Sequence, residues 1–356
     1  MKKYSCNLYA PLCGILCQNS VDVARCCALS GQNLPQIVTH ILQKAFFKHA
    51  LENEFLTGSR RTVRSEEEEN QMKIKWHNDN KLHMQVKENN GVTYLTYPSF
   101  EQFPDIVHCF STRLGGVSQG IFSSMNLSFT RGDEENAVKD NYRRLSAAVG
   151  FSLEDIVTSD QTHTTNVQLV GAEDRGKGVT RPRTYKDVDG MITNVPGVVL
   201  CTFYADCVPL YFVDPVHKAV GLAHSGWRGT VGKIGKVTIE KMAEQFGSDP
   251  EEIFTAIGPS ICQDCYEVSE DVILEFQKAF EEKYWEKLFY KKKNGKYQLN
   301  LWEANHIIFL EAGIKEDHIS VPGICTCCNP EFLFSHRASH GRRGNLAAFL
   351  GILREK

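Results

Sequence analysis

The stretch "VVLCTFYADCVPLYFVDPVHKAVGLAHSGWRG", from Val198 to Gly229, decides the fold. It contains three apolar runs of strand length, "VVLCTFY", "VPLYFVD" and "KAVGLAH", which are rich in β-branched and aromatic residues. The short segment "ADC" separates the first two runs. Apolar runs of this length, bounded by turn residues, predict buried strands. The segment "EEIFTAIGP", from Glu251 to Pro259, predicts a further buried strand.

Helical patterns follow these strands. A first helix is predicted after Thr230, which is a suitable N-cap residue. Its apolar face comprises Ile239, Met242, Ala243 and Phe246. A second helix is predicted from an apolar series at i+4 spacing, and the chain is expected to turn at Asn294-Gly295. That series comprises Val268, Val272, Phe276, Phe280 and Tyr284. Because strands and helices interleave, the fold class is α/β, or α+β with a mixed sheet.

Composition limits the classes of function. A chain of 356 residues with 42% hydrophobic content is long enough to bury a full core. The formal net charge of −3 provides no basic surplus, which argues against nucleic acid as the main partner. No stretch approaches the roughly 18 to 20 apolar residues that span a bilayer, so no membrane partner and a cytoplasmic location are expected. Thirteen cysteines form no evident disulfide framework, which favours reduced thiols.

The first 71 residues differ from the rest of the chain. Five of the thirteen cysteines lie before residue 28, and the charge-segregated run "GSRRTVRSEEEENQ" follows at residues 58–71. Such a run is typical of a linker or a solvated tail. We therefore divide the chain into a poorly structured N-terminal extension at residues 1–71 and a catalytic domain at residues 72–356. An over-extended translation start and a small Cys-rich metal domain are the alternatives for the first segment.

Three residues could together form a metal site. His224 lies at the carboxyl end of a predicted strand, and Cys207 ends the apolar run "VVLCTFYADC". His163 lies in the polar segment "SDQTHTTN". Taken singly, His224 has a plain interpretation as a structural histidine, Cys207 as a small buried residue and His163 as a surface histidine. Two imidazoles and one thiolate are nevertheless a good zinc set, and three protein ligands leave the open position that a catalytic zinc requires. Their spacing alone does not prove that they converge.

Two other patterns have competing interpretations. Glycines 226, 229, 232 and 235 match neither a dinucleotide fingerprint nor a Walker A loop, so a tightly packed turn and phosphate binding at a helix start remain open. The cysteines of "CQDC" (residues 262–265) and "CTCC" (residues 325–328) compete with the first set as a structural zinc site. The chain has twelve histidines but no H-x-H pair, which makes multicopper oxidase chemistry improbable.

Several motifs then identify a resemblance. In chain order they are "FSTRLGGVS", "MNLSF", "GDEENAVKDNYRRL", "QTH", "ADCVPLYFVD", "AHSGWRG", "GPSICQDCYEV", "CTCC" and "FSHRASHGRRGNLAAF". In this order they resemble the YfiH-like proteins, the laccase-domain or polyphenol oxidase family now regarded as purine nucleoside phosphorylases. The resemblance covers about residues 90–352 and leaves residues 1–71 outside it.

The resemblance implies one layered α/β/β/α domain with mixed sheets. It also implies a zinc site at His163, Cys207 and His224, with copper as the less favoured ion. The implied substrates are adenosine, inosine or methylthioadenosine together with phosphate, and adenosine deamination is an implied second activity. Older labels of the family mention copper, oxidoreductase and laccase activity, and a role in editing peptidoglycan precursors has been proposed for bacterial members. The chain is expected to be a monomer or a homodimer.

Within that activity we assign roles to further residues. Arg113 in "TRLGG" and Arg228 in "GWRG" are the candidates to clamp phosphate, because a guanidinium makes bidentate contacts. Each also has a plain interpretation as a structural ion-pair arginine. The substrate site is further assigned to Asn126, His336 and Arg337, although "HRASHGRRG" departs from the pattern of many members and weakens the assignment of His336. The catalytic set is Cys207, His224 and Arg228, and Asp206 could support a ligand or cap its strand.

Three functions follow as hypotheses. The first is the zinc-dependent nucleoside enzyme, in which phosphate attacks C1′ of the ribose or water attacks C6 of the base. The second is a cysteine hydrolase or peptidoglycan-editing enzyme with Cys207 as nucleophile and His224 as its base. The third is a metal-binding or nucleotide-binding module without catalysis.

Overall fold

The computed structural model describes residues 73–77 and 84–354. The N-terminal extension predicted at residues 1–71 lies outside the described residues, so its lack of packed structure stays a prediction. In the described residues the chain forms fifteen strands, numbered in chain order. They are β1 (Gln85–Asn89), β2 (Val92–Thr96), β3 (Ile106–Ser111), β4 (Ile156–Thr158), β5 (Val167–Leu169), β6 (Gly190–Thr193), β7 (Val198–Tyr204), β8 (Val208–Asp214), β9 (Ala219–Ser225), β10 (Phe254–Ile257), β11 (Glu267–Val268), β12 (Phe289–Lys291), β13 (Tyr297–Leu299), β14 (Ile319–Ser320) and β15 (Leu346–Ile352).

Six α-helices accompany these strands in the same described part of the chain. They are α1 (Glu135–Val149), α2 (Trp227–Val231), α3 (Ile234–Phe246), α4 (Glu270–Ala279), α5 (Trp285–Leu288) and α6 (Leu301–Glu311). None of the described helices is long and apolar enough to cross a bilayer.

The strands form two large mixed sheets and one small sheet. The first large sheet has the order β1-β2-β3-β15-β7-β4, and the second has the order β14-β10-β8-β9-β6-β5. Most neighbours are antiparallel, but β4 runs parallel to β7, β5 to β6 and β10 to β14. The small sheet has the order β11-β13-β12.

The two large sheets pack face to face, because alternate residues of each strand point to opposite sides. In β7, Leu200 and Tyr204 lie in the core between the sheets, whereas Val199 and Cys201 lie on the outer face. Tyr211 and Leu222 of the second sheet belong to the same inner core. Each large apolar side chain buried there stabilises the fold by roughly 1.5–3 kcal/mol.

Helices cover the outer faces of both sheets. Tyr142 and Leu145 of α1 pack with the outer face of the first sheet. Ile239 of α3, Phe276 of α4 and Phe309 of α6 pack with the outer face of the second sheet. Because both faces of each sheet are covered, strands β7, β8 and β9 are buried along almost their whole length, as the apolar runs in their sequence predict. The predicted layered α/β/β/α fold with mixed sheets is confirmed.

The helix predicted after Thr230 exists, but it begins later. Helix α3 begins at Ile234, and Ile239 and Met242 lie on its buried face. Thr230 is not an N-cap: it lies inside the short helix α2, whose N-cap is Gly226. Its hydroxyl is buried and donates to the Gly226 carbonyl at 3.0 Å. The prediction was wrong because the hydroxyl bonds backward within the turn instead of to the following N–H groups.

The second predicted helix is shorter than its apolar series. Helix α4 ends at Ala279, and Phe280 is extended, with φ −124° and ψ 141°. Val268 pairs with Tyr297 in the small sheet instead of continuing the helix. All five residues of the series still pack against the core beneath the second sheet. The i+4 spacing therefore predicted correctly which residues are buried, but it predicted too long a helix. Gly295, with φ 81°, lies in the expected turn between β12 and β13.

Candidate metal and catalytic site

Cys207 lies in the tight turn that joins β7 to β8. Asp206 immediately before it has a positive φ of 92°, and its carboxylate accepts hydrogen bonds from the Thr326 hydroxyl at 2.6 Å and the Arg337 N–H at 2.7 Å. The Ile261 N–H donates to the Asp206 carbonyl at 3.0 Å. The carboxylate of Asp206 is thus committed to two loops. These bonds hold the turn that presents Cys207. Asp206 therefore supports this proposed ligand through the backbone turn and not by a side-chain contact with it.

The structure brings the two histidines to this cysteine. His224 near the end of β9 pairs with Pro209 across the β8–β9 ladder, which places its side chain beside the turn. His163 comes from the loop between β4 and β5. Its Nε2 lies 3.9 Å from the Cys207 Sγ, and the two imidazole centroids are 4.9 Å apart. One ligand atom of each residue lies within 4.8 Å of the others.

Asp189 orients both histidines, and sequence reasoning missed it. Its Oδ1 lies 2.8 Å from the His224 Nδ1 and accepts the His163 N–H at 3.1 Å. Its Oδ2 accepts the N–H groups of Thr162 and Thr164 and the Thr164 hydroxyl. The carboxylate is fully buried. A carboxylate that holds the distal nitrogen of a ligating histidine fixes its tautomer and raises its basicity.

The ionisable groups of the cluster shift one another's pKa values toward their charged forms. Burial alone would raise the pKa of Asp189, but the hydrogen bonds from His224 and from backbone N–H groups lower it to about 2. Burial would also raise the pKa of Cys207, yet the two imidazoles lower it to about 6. Burial would lower the pKa of His224, but the Cys207 thiolate and Asp189 raise it to about 9. Cys207 is therefore a thiolate at neutral pH, the form in which cysteine binds metal or acts as a nucleophile.

The donor set fits a metal ion. One thiolate and two imidazole nitrogens suit zinc, and three protein donors leave a fourth position for a reacting group. The second nitrogen of His224 is already occupied by Asp189, so Nε2 is the nitrogen free to face an ion. The residues present can therefore hold the ion expected from the sequence.

Gly226 has no side chain, and this leaves room for His163 and Cys207 of the cluster. A Cβ at this position would lie 2.8 Å from the His163 Cδ2 and 3.2 Å from the Cys207 Sγ. We therefore expect Gly226→Ala to weaken zinc binding at this site by at least about tenfold, because two donors must move. Competition with a chromophoric chelator measures this affinity. Gly235→Ala is the control, since its Cβ would instead meet the Phe309 ring at 3.1 Å, and unchanged zinc affinity in Gly226→Ala would contradict the assignment.

The cluster opens into a large basic cavity. The cavity has a volume of about 1090 Å³, and His163, Cys207 and His224 are among its lining residues. Six cationic and three acidic side chains also line it. They are Arg131, Lys139, Arg143, Arg181, Arg183 and Arg343, with Asp133, Glu135 and Asp160. A concave site with this excess of cations is suited to an anionic ligand.

Arg343 is the notable cation of this cavity. Its Nε is buried without a hydrogen-bond partner among the described residues, although its Nη1 donates to the Gly344 carbonyl at 3.3 Å. Burial, followed by the nearby Arg131, lowers the pKa of Arg343 to about 10. Two neighbouring guanidiniums repel each other unless an anion lies between them. The signal in the sequence was the "GRRG" of the last motif, but nothing there distinguishes Arg343 from the exposed Arg342.

The predicted clamp residues Arg113 and Arg228 lie elsewhere. The Arg113 guanidinium donates to the carbonyls of Ser123 and Pro330 and stacks on Phe334 with its Cζ 4.8 Å from the ring centroid. Arg228 is exposed on α2 and lies over the Trp227 ring at 4.3 Å. Neither is among the residues that line the cavity. The structure therefore does not bring these two arginines to the metal-ligand cluster.

The remaining predicted binding residues are Asn126, His336 and Arg337, and they lie at different places relative to the cavity. Asn126 is buried, donates to the Asp133 carboxylate at 2.9 Å and accepts the Asn345 N–H at 2.9 Å, so it positions two lining residues. His336 is exposed, with its Nδ1 3.4 Å from Arg343 Nη2. The Arg337 guanidinium donates to the carbonyls of Cys265 and Glu267 and lines a separate, smaller cavity. Asn126 and His336 therefore contact residues that line the basic cavity, whereas Arg337 lies at a different one.

Comparisons with known proteins agree with this architecture. A family described as multi-copper polyphenol oxidoreductase laccase matches residues 107–353. The purine nucleoside phosphorylase YlmD of Bacillus subtilis is 37% identical, with 70% of this chain and 89% of that protein covered. The adenosine deaminase RL5, from an unknown prokaryotic organism, is 34% identical over 70% of this chain and 94% of its own length.

Solved structures and a second family complete the comparison. The crystal structure of YlmD from Geobacillus stearothermophilus matches with a TM-score of 0.70 at 36% identity, covering 76% of this chain and 99% of that chain. A Bacillus licheniformis protein, YfiH, matches with a TM-score of 0.70 at 33% identity, over 75% of this chain and 98% of its own. Residues 1–30 match a family of unknown function. The resemblance predicted from the motifs is therefore confirmed.

Proposed function

Since this chain belongs to the family described as multi-copper polyphenol oxidoreductase laccase, with curated relatives named purine nucleoside phosphorylases, we propose that it is a zinc-dependent purine nucleoside phosphorylase. The substrates are adenosine, inosine or methylthioadenosine with phosphate, and the products are the free base and the corresponding ribose 1-phosphate. Adenosine deamination is a second activity, in keeping with the relative named adenosine deaminase. The partners are small molecules, and the chain is a monomer or homodimer in the cytoplasm.

One observation carries the proposal: the metal-ligand cluster opens into a cavity with six cationic and three acidic side chains. Phosphate is the anionic co-substrate that phosphorolysis requires, and an arginine pair is the protein's usual means of holding it. We assign the phosphate to Arg343 and Arg131, which line the cavity, in preference to Arg113 and Arg337, which do not. Asn126 acts from behind the cavity wall, through its hydrogen bonds to Asp133 and Asn345, and a catalytic role for Arg228 stays a prediction.

The metal ion and the side chains of the protein have separate roles in the reaction. His163, Cys207 and His224 would hold the zinc ion, which would supply Lewis acidity at this end of the cavity. Asp189 keeps His224 oriented, and Asp206 keeps the Cys207 turn in place. Arg343 and Arg131 neutralise the phosphate and aim one oxygen at C1′. As that oxygen forms its bond to C1′, the bond from C1′ to the base nitrogen breaks and the base departs with the bonding pair.

Replacing Arg343 by alanine should raise the KM for phosphate by about 10- to 100-fold, because charge-assisted hydrogen bonds contribute about 1.5–3 kcal/mol. The KM for inosine should change much less. Steady-state kinetics with phosphate varied at saturating inosine measures the effect. Arg342→Ala is the matched control, since this neighbouring arginine is exposed and lines no described cavity. An unchanged KM for phosphate in Arg343→Ala would remove Arg343 from the phosphate site.

A cysteine hydrolase is the second candidate, because the arrangement Cys207, His224 and Asp189 also matches a nucleophile, its base and the group that orients the base. The two candidates differ in their need for metal. A chelator abolishes the phosphorylase and leaves the hydrolase active, while Cys207→Ser impairs both. Saturable nucleoside binding without turnover would instead indicate a non-catalytic binding module. We favour the phosphorylase because hydrolysis makes no use of the arginines in the cavity.

A further inference from the structure

A second group of metal donors lies outside the catalytic cluster. It contains His77, Cys262, Cys325 and Cys328, and one donor atom of each lies within 4.8 Å of the others. Cys262 belongs to the "CQDC" motif, and Cys325 and Cys328 belong to the "CTCC" motif. His77 comes from the first described segment. Three separate parts of the chain therefore meet at this point.

The distances match a tetrahedral ion site. The Sγ atoms of Cys262 and Cys328 are 3.9 Å apart. Ligands at about 2.3 Å from a tetrahedral zinc would be separated by about 3.8 Å. The Cys325 Sγ accepts the N–H groups of Cys262 at 3.2 Å and Cys328 at 3.4 Å, and such bonds stabilise a thiolate. The sulfurs are thus already arranged and hydrogen-bonded as ligands.

His77 supplies an independent observation. Its Nε2 is a buried nitrogen without a hydrogen-bond partner among the described residues. An unpaired buried polar atom costs about 1–3 kcal/mol. A ring nitrogen of His77 also lies within 4.8 Å of the three sulfurs. The Trp302 ring packs edge-on against the imidazole at 5.7 Å and helps to fix its orientation. A cation between His77 and the three sulfurs accounts for the unpaired nitrogen.

The second group of metal donors is largely shielded from solvent. Cys325 is fully buried, and Cys262 is 4% exposed. Ile261 and Trp302 pack around the same sulfurs. Four protein donors in a largely buried position leave no place for a substrate. This is the arrangement of a structural zinc site, in contrast to the three-donor cluster at Cys207.

We propose that His77, Cys262, Cys325 and Cys328 bind a structural zinc ion, distinct from the ion at His163, Cys207 and His224. Binding releases the thiol protons and stabilises the fold, since the donors cannot converge in the unfolded chain. Cys265, whose Sγ is 3.5 Å from that of Cys328, remains outside the coordination shell. This proposal does not rest on the proposed function.

The position of this site implies a role in supporting the catalytic turn. Ile261 precedes the ligand Cys262, and its N–H holds the Asp206 carbonyl. Thr326 follows the ligand Cys325, and its hydroxyl holds the Asp206 carboxylate. Because Asp206 immediately precedes Cys207, the structural ion would fix both neighbours of the turn that presents the catalytic thiolate. It would also tie down the segment at residues 73–77.

The test is zinc content per folded chain in the full-length protein, purified under reducing conditions and measured by elemental analysis. The background is the double variant His163→Ala/His224→Ala, which lacks the catalytic site. In this background, Cys262→Ser and His77→Ala should each lower zinc content by about one ion per chain. Cys327→Ser is the matched control from the same motif and should leave it unchanged. His77→Cys, which keeps a fourth ligand, should restore the ion.

Cobalt substitution completes the test. The cobalt form of the background should show an intense thiolate-to-metal charge-transfer band that Cys328→Ser weakens. If Cys262→Ser fails to fold, His77→Ala still decides, because it removes no buried thiol. Unchanged zinc content in folded His77→Ala and Cys262→Ser would overturn the proposal. Loss of the ion in Cys265→Ser, with retention in His77→Ala, would overturn the ligand set.

Discussion

Replacing His224 by alanine should remove the ion from the catalytic cluster and reduce phosphate-dependent cleavage of inosine by about a thousandfold or more. Metal assistance lowers a reaction barrier by several kcal/mol, and each 1.36 kcal/mol corresponds to about tenfold in rate. The imidazole is 3% exposed, and its ring lies between Asp189 and the Cys207 turn, so no other described side chain can take its place. Elemental analysis and an assay for hypoxanthine measure the two effects.

The chain provides a matched control for this variant. His217 lies next to Asp214 in the β8–β9 turn, and its Nδ1 is 2.8 Å from a carboxylate oxygen, as in the His224–Asp189 pair. His217→Ala should therefore lose an equivalent hydrogen bond without affecting metal content or turnover. Wild-type activity in His224→Ala, or full zinc content at the cluster, would contradict the assignment.

Asp189→Asn should lower zinc affinity at the cluster by about 10- to 100-fold, and activity at limiting zinc should fall in proportion. The amide nitrogen cannot accept hydrogen bonds, so the His163 loop and the His224 imidazole both lose part of their support. Removing a buried acceptor also destabilises the fold by about 1–3 kcal/mol. Zinc titration of activity separates the two effects, because excess zinc should restore much of the turnover.

Asp214→Asn is the matched control for stability. Asp214 is also fully buried, and it likewise accepts backbone N–H groups, from Val216 and His217, and lies 2.8 Å from a histidine nitrogen. It should destabilise the fold by a similar amount while leaving zinc affinity unchanged. Equal zinc affinities in the two variants would show that Asp189 acts only through stability.

The sequence predicts the centre of the fold better than its periphery. Strands β7, β8 and β9 are recognised because both faces of each sheet are buried, so apolar residues predominate in them without strict alternation. The helix predicted across Phe276 and Phe280 is too long because a pattern of buried residues does not reveal where the backbone leaves the helix. Thr230 is misassigned because its hydroxyl has two possible backbone partners, and only the fold selects between them.

The candidate site shows a similar division. His163, Cys207 and His224 are recognisable because their residue types are those that bind zinc, and the motifs that carry them resemble one family. Asp189 was missed because its role depends on its distance from two histidines, which come from separate loops and strands. The placement of the arginines is hidden from the sequence for the same reason: Arg113 and Arg343 both lie in the motifs, but only packing shows that Arg343 lines the cavity and that Arg113 does not.

The most direct test of the account is the reaction of inosine with phosphate, using protein whose zinc content at the cluster has been measured. We predict hypoxanthine and ribose 1-phosphate in equal amounts, in a reaction that requires phosphate, stops on chelation and returns with added zinc. Absence of product at full zinc occupancy would contradict the account, as would release of hypoxanthine at the same rate without phosphate.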